Sequence, residues 1–102
     1  MILEEIRQKV RRGRYHISFT HTEKLRRRQI TVKELEEAIS KGEIIEDYPH
    51  DPRRASCLVL GFTHVGRPLH LVCSKVEEEV IIITAYEPSL DEWEEDLRTR
   101  RK

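Results

Sequence analysis

The sequence predicts an α+β fold: N-terminal helices packed on an antiparallel β-meander, with a closing C-terminal helix. Three observations carry this reading. Residues 2–12 and the stripe Leu35, Ala38 and Ile39 place apolar positions at helical spacing. Residues 56–86 hold three apolar, β-branched runs separated by short polar turns, the pattern of consecutive hairpins. Residues 89–101 then return to helical spacing. At 102 residues the chain is read as a single domain, 1–102.

Each element follows from local chemistry. Ile2, Ile6 and Val10 fall four apart and predict a helix over 2–12, which Gly13 would cap. Tyr15 to Phe19 alternates weakly, as an edge strand or an extended link would. Thr20 with Glu23 has the spacing of a capping box, predicting a surface helix from His21 to about Arg28. Thr31 with Glu34 repeats that spacing before the stripe Leu35, Ala38 and Ile39, and Gly42 stops the helix. Residues 44–48 are strand-like, and 49–55 form a polar loop with two prolines. SCLVLGF (56–62), LHLVCS (69–74) and VIIITAY (80–86) are the three strands of the meander. A hairpin loop over 63–67 would pair Phe62 with Pro68 and set Cys57 opposite Cys73, near enough for a disulfide. Two buried thiols are the expectation in a reducing compartment. Ser89 with Glu92, followed by Leu90, Trp93 and Leu97, predicts the closing helix, with acids first and arginines last as the helix dipole favours.

Composition narrows the function. There are 19 Lys+Arg against 19 Asp+Glu, so the formal net charge is zero. No apolar stretch approaches the length of a membrane span, and the start, MILEEIRQKV, lacks the apolar core of a signal peptide, so no membrane role and a cytoplasmic setting are expected. The neutrality hides an asymmetry. Residues 7–28 hold nine Lys/Arg and one acid, Glu23, whereas residues 77–96 hold nine acids and no Lys/Arg. The basic segment is either a phosphate-binding surface or two solvated helix faces paired with the acidic C-terminal helix. His70 and Cys73, three apart on a strand, point to opposite faces, and no zinc-type spacing occurs, so neither metal nor cofactor is implied.

Cleaving RNA without metal needs a base for the 2′-hydroxyl proton, an acid for the leaving oxygen and a cation for the phosphorane. The chain offers His21, His70, Tyr86, Arg67 and the run Arg26, Arg27 and Arg28. His21 opens a basic helix, and the alternative for it is an exposed first-turn residue. His70 is either part of a site on the sheet face opposite Leu69 and Leu71 or a satisfied core histidine. Tyr86 ends the last strand, where packing alone also accounts for a tyrosine. Whether His70 and Tyr86 share a face depends on the turn at 76–79: an even length separates them and an odd length unites them. Arg67 lies at a turn, where exposure is its ordinary fate. His16, His50 and His64 sit in polar contexts and receive no role, and nothing fixes Asp47 and Glu87 as a carboxylate pair.

The stretches FTHTEKLRRRQIT, GEIIEDYP, SCLVLGF, GRPLHLVCS and IIITAYEPSLDEW follow one another over residues 19–93. Together they resemble the bacterial family known as domain of unknown function 4258, in which a residue other than Thr22, commonly Ala, follows the helix histidine. The element order is similar to the RelE-like fold of small ribonuclease toxins. The resemblance implies a metal-free endoribonuclease toxin of a toxin–antitoxin system, acting on messenger RNA and silenced by a cognate antitoxin, a small zinc-finger protein of the YgiT type. On that reading His70, His21 and Tyr86 are catalytic, and Arg26, Arg27, Arg28 and Arg67 hold RNA phosphates. The alternative is a non-catalytic module that binds protein or nucleic acid.

Overall fold

The computed structural model describes residues 2–102, and the side chain of Phe19 lies outside what it describes. Its elements are α1 (Leu3–Arg11), β1 (Tyr15–Ile17), a 3-10 turn (Phe19–His21), α2 (Thr22–Arg27), α3 (Val32–Ser40), β2 (Glu43–Tyr48), β3 (Ser56–Phe62), β4 (Pro68–Val76) and β5 (Glu79–Tyr86). The fold is α+β. One five-stranded sheet has the order β1-β5-β4-β3-β2. β2 to β5 form an antiparallel meander. β1 runs parallel to β5, so the sheet is mixed where the sequence predicted an antiparallel one.

The helices form locally for the reasons their sequences give. Ile6 and Val10 of α1 are buried, while Ile2 stays exposed at the N-terminal end. Gly13 takes a left-handed φ of 71° directly after α1, a conformation glycine adopts without strain. The Thr31–Glu34 capping box forms in full. The Thr20–Glu23 box does not. His21 takes the N-cap of α2 without a side-chain bond, and the Ser18 carbonyl accepts instead from the His21 N–H and the Thr22 hydroxyl. A 3-10 turn therefore replaces the start of the predicted helix.

The core lies between the sheet and α1 and α3. Leu35, Ala38 and Ile39 meet Cys57, Val59, Leu69, Leu71, Cys73, Val80 and Ile82, one face of alternate strand residues. Gly61 lets α3 approach closely: a Cβ there would lie 2.0 Å from the Ala38 carbonyl oxygen. The predicted register holds, with Phe62 opposite Pro68 and Cys57 opposite Cys73. Both cysteines are free and buried.

The predicted closing helix over the last residues does not form. Ser89 accepts from the N–H groups of Glu92 and Trp93, making a single turn. The Asp96 carboxylate then accepts from the N–H groups of Arg98 and Thr99, Leu97 takes a left-handed φ of 61°, and Trp93 bridges to Arg100. The side-chain caps and the burial of Trp93 outweigh helical spacing here. The segment lies instead as a flat strap, tied to β2 by Arg98–Glu43 and by the two-pronged Arg100–Glu46 pair.

Candidate functional site

The site begins with a parity correction in β5. The turn joining β4 to β5 is two residues, Glu77 and Glu78, between the pair Val76–Glu79. That even length alone would leave His70 opposite Ala85 and put Tyr86 on the other face. A register shift between Val72 and Cys73 adds one residue, Ile83, on β5. Thereafter Val72 faces Thr84 and His70 faces Tyr86. Their rings meet edge-on with centroids 5.5 Å apart.

His70 is wholly buried. Its Nε2 lies 2.6 Å from the Leu97 carbonyl, and its ring stands edge-on to Trp93 with centroids 4.5 Å apart. A carbonyl only accepts, so Nε2 carries the hydrogen and Nδ1 is bare. That Nδ1 is buried without a partner. Burial pushes the His70 pKa down, opposed by the Leu97 bond and by Glu46. In this arrangement His70 touches the strap and Tyr86.

Tyr86 is half-buried, and burial raises the pKa of its phenol. Beside it, Arg28 donates through Nη1 to the Ala85 carbonyl at 2.7 Å and to Thr84 Oγ1 at 3.3 Å. The guanidinium thus sits at the end of β5, and its charge acts on both Tyr86 and His21. His21 is half-buried with an unpartnered, buried Nδ1. Burial lowers its pKa, and Lys24 and Arg28 lower it further. Near neutral pH His21 is therefore an uncharged base beside a fixed cation, and Tyr86 a protonated acid.

Arg67 braces this corner. Its Nη1 donates to the Gln29 carbonyl (2.8 Å) and Glu34 (3.0 Å), and its Nη2 to the Arg28 carbonyl (2.9 Å) and Glu87 (3.3 Å). One side chain thereby joins the end of α2, the start of α3 and the end of β5. Arg26 and Arg27 point elsewhere: they are 79% and 75% exposed and lie within 4 Å of Glu23. Among the described ion pairs, the basic segment meets Glu4, Glu23 and Glu78 and not the acids of 91–96. Contacts thus join Arg28, Arg67, Tyr86 and His70 around the end of β5, with His21 under the charge of Arg28, and leave Arg26 and Arg27 outside.

Two features beside this corner, on the sheet face away from the helices, were not legible in the sequence. His16, given no role by its polar context, contacts Glu79 across β1 and β5. Arg53 and Arg54, from the polar loop, line a cavity with it. The doublet in PHDPRRA was their only signal. Among the described residues, no group of three or more His, Cys, Asp or Glu converges to hold a metal ion, and no helix is long and apolar enough to cross a membrane.

A family model described as Domain of unknown function (DUF4258) matches residues 21–87, from the first residue of this corner to the neighbour of Tyr86. No curated protein and no solved structure matches the chain.

Proposed function

The chain belongs to the DUF4258 family, and from that premise we propose that it is a metal-free endoribonuclease toxin of RelE-like type, acting on messenger RNA in the cytoplasm. One observation carries the reading: the Arg28 guanidinium is fixed on the Ala85 carbonyl, next in the chain to the phenol of Tyr86, and its charge also reaches the uncharged His21, the residues at or beside which the matched segment begins and ends. His21 takes the 2′-hydroxyl proton as that oxygen attacks phosphorus. Arg28 stabilises the charge gathered on the phosphorane. The bond to the 5′ oxygen breaks, Tyr86 protonates that oxygen, and a 2′,3′-cyclic phosphate remains. His70 fixes the Tyr86 ring from within the sheet, and Arg67 fixes the α2 terminus that carries Arg28. Arg26 and Arg27 offer exposed charge for flanking phosphates. A cognate antitoxin, a small zinc-finger protein of the YgiT type, would silence it.

A non-catalytic binding module is the second reading, favoured by the complete burial of His70. Induced expression of the chain alone in a bacterial host separates the two. Growth arrest with loss of messenger RNA, abolished by His21→Ala and by Tyr86→Phe, supports the ribonuclease. Normal growth with folded protein, or arrest that survives both substitutions, refutes it.

A further inference from the structure

The sheet face away from the helices is covered only in part. The strap lies against His70, and beside it is an open cavity of about 600 Å³, within the size range of small-ligand sites. Val72, Ile81 and Ile83 supply aliphatic surface to it, while His16 stands on one side and Arg53 and Arg54 on the other. Asp51, also at the rim, is engaged locally: it accepts from the Arg53 N–H at 2.9 Å and lies 3.5 Å from the Arg53 guanidinium. The rim keeps a positive balance. An aliphatic floor can pack against the flat face of a base, and paired arginines suit a phosphodiester.

The cavity adjoins the corner described above at two places. Ser18, which lines it, holds the His21 N–H through its carbonyl at 3.0 Å. Ile83, on its floor, precedes Thr84, which accepts from Arg28. We infer that this cavity binds one nucleotide of a single-stranded RNA adjacent to the scissile one, its base on Val72, Ile81 and Ile83 and its phosphate on Arg53 and Arg54. The inference rests on the ribonuclease reading for its ligand class, but its test does not need cleavage.

The probe is a short, fluorescently labelled single-stranded RNA with 2′-O-methyl groups throughout, which binds but cannot be cut. Its affinity for the full chain is followed by anisotropy over a salt series. Arg53→Ala/Arg54→Ala should weaken binding about tenfold at low salt and reduce the log–log salt slope by about 0.7, the loss of one single-strand phosphate contact. Ile83→Asp should weaken it too, while Val65→Ala, on the exposed turn between β3 and β4 and outside the cavity, leaves it unchanged. Unchanged binding by the double arginine variant, no binding by the wild type, or equal displacement by an acidic peptide overturns the inference. Unmodified RNA separates the two claims. Arginine-dependent binding without cleavage leaves the cavity standing and the chemistry refuted. Cleavage at an unchanged KM in the double variant leaves the chemistry standing and the cavity refuted.

Discussion

Acidification should destabilise the protein through His70. The second proton on that ring must go to Nδ1, which is buried against Trp93 and Tyr86 with no acceptor. The folded pKa is therefore below that of the unfolded chain, where histidine titrates at about 6.5. Between those two values the unfolded state binds more protons. Stability is full above the unfolded pKa and falls as pH drops through it toward the folded one. One proton sets a limit of about 1.4 kcal/mol per pH unit, so at about pH 5.5 the loss reaches at most ~1.4 kcal/mol. For a domain of this size that lowers Tm by roughly 5–10 °C. The single tryptophan, Trp93, stands against the imidazole and reports the transition by fluorescence. Melts between about pH 7.5 and 5.5 should show the drop in the wild type and a smaller one in His70→Gln. A remainder persists there because the His21 pKa is also lowered. The same pH dependence in both proteins would refute the argument.

Three other outcomes follow from the packing. Gly61→Ala drives a Cβ into the Ala38 backbone, where no side chain can yield, and should cost about 3 kcal/mol in urea unfolding; a near-neutral effect would mean that α3 shifts freely. Arg67→Met removes four hydrogen bonds, three of them open to water, and should cost roughly 1–2 kcal/mol, seen as a lower denaturation midpoint. Burial pushes the Cys57 thiol up to about 11 and Cys73 higher still. A thiol reagent at about pH 8 should therefore label neither residue in the native protein and both in urea, and rapid native labelling would contradict their burial.

Strands whose character is purely local were readable in advance. β3 and its register against β4 follow from one apolar run and one loop length, so Cys57 lands opposite Cys73 as the residues imply. The capping box at Thr31 forms because both partners serve a helix whose stripe is buried. The equivalent spacing at Thr20 fails because the Thr20 hydroxyl pairs with Ser18 Oγ and the Ser18 carbonyl closes a 3-10 turn by accepting from the His21 N–H. The Ser89 spacing fails for a tertiary reason: Trp93 and the Leu97 carbonyl gain more against His70 than a solvated helix would return. The pairing of β1 with β5 depends on residues more than sixty positions apart, and no local pattern encodes it. The site residues were visible as types, but their meeting was not. Arg28 stood out only as one of three arginines, and the fold selects it by offering the Ala85 carbonyl.

The extra residue in β5 has a consequence for how such a chain tolerates change over generations. Side-chain direction along a strand has a period of two, so Ile83 acts as a counter that sets which face Tyr86 occupies. Substituting Ile83 leaves the count intact. Deleting it, or lengthening the Glu77–Glu78 turn by one residue, inverts the count while keeping every motif letter in order. Two relatives can thus spell the same TAYEP and present the tyrosine to opposite sides of the sheet. The length between motifs, as much as their wording, fixes the side of the sheet on which Tyr86 stands.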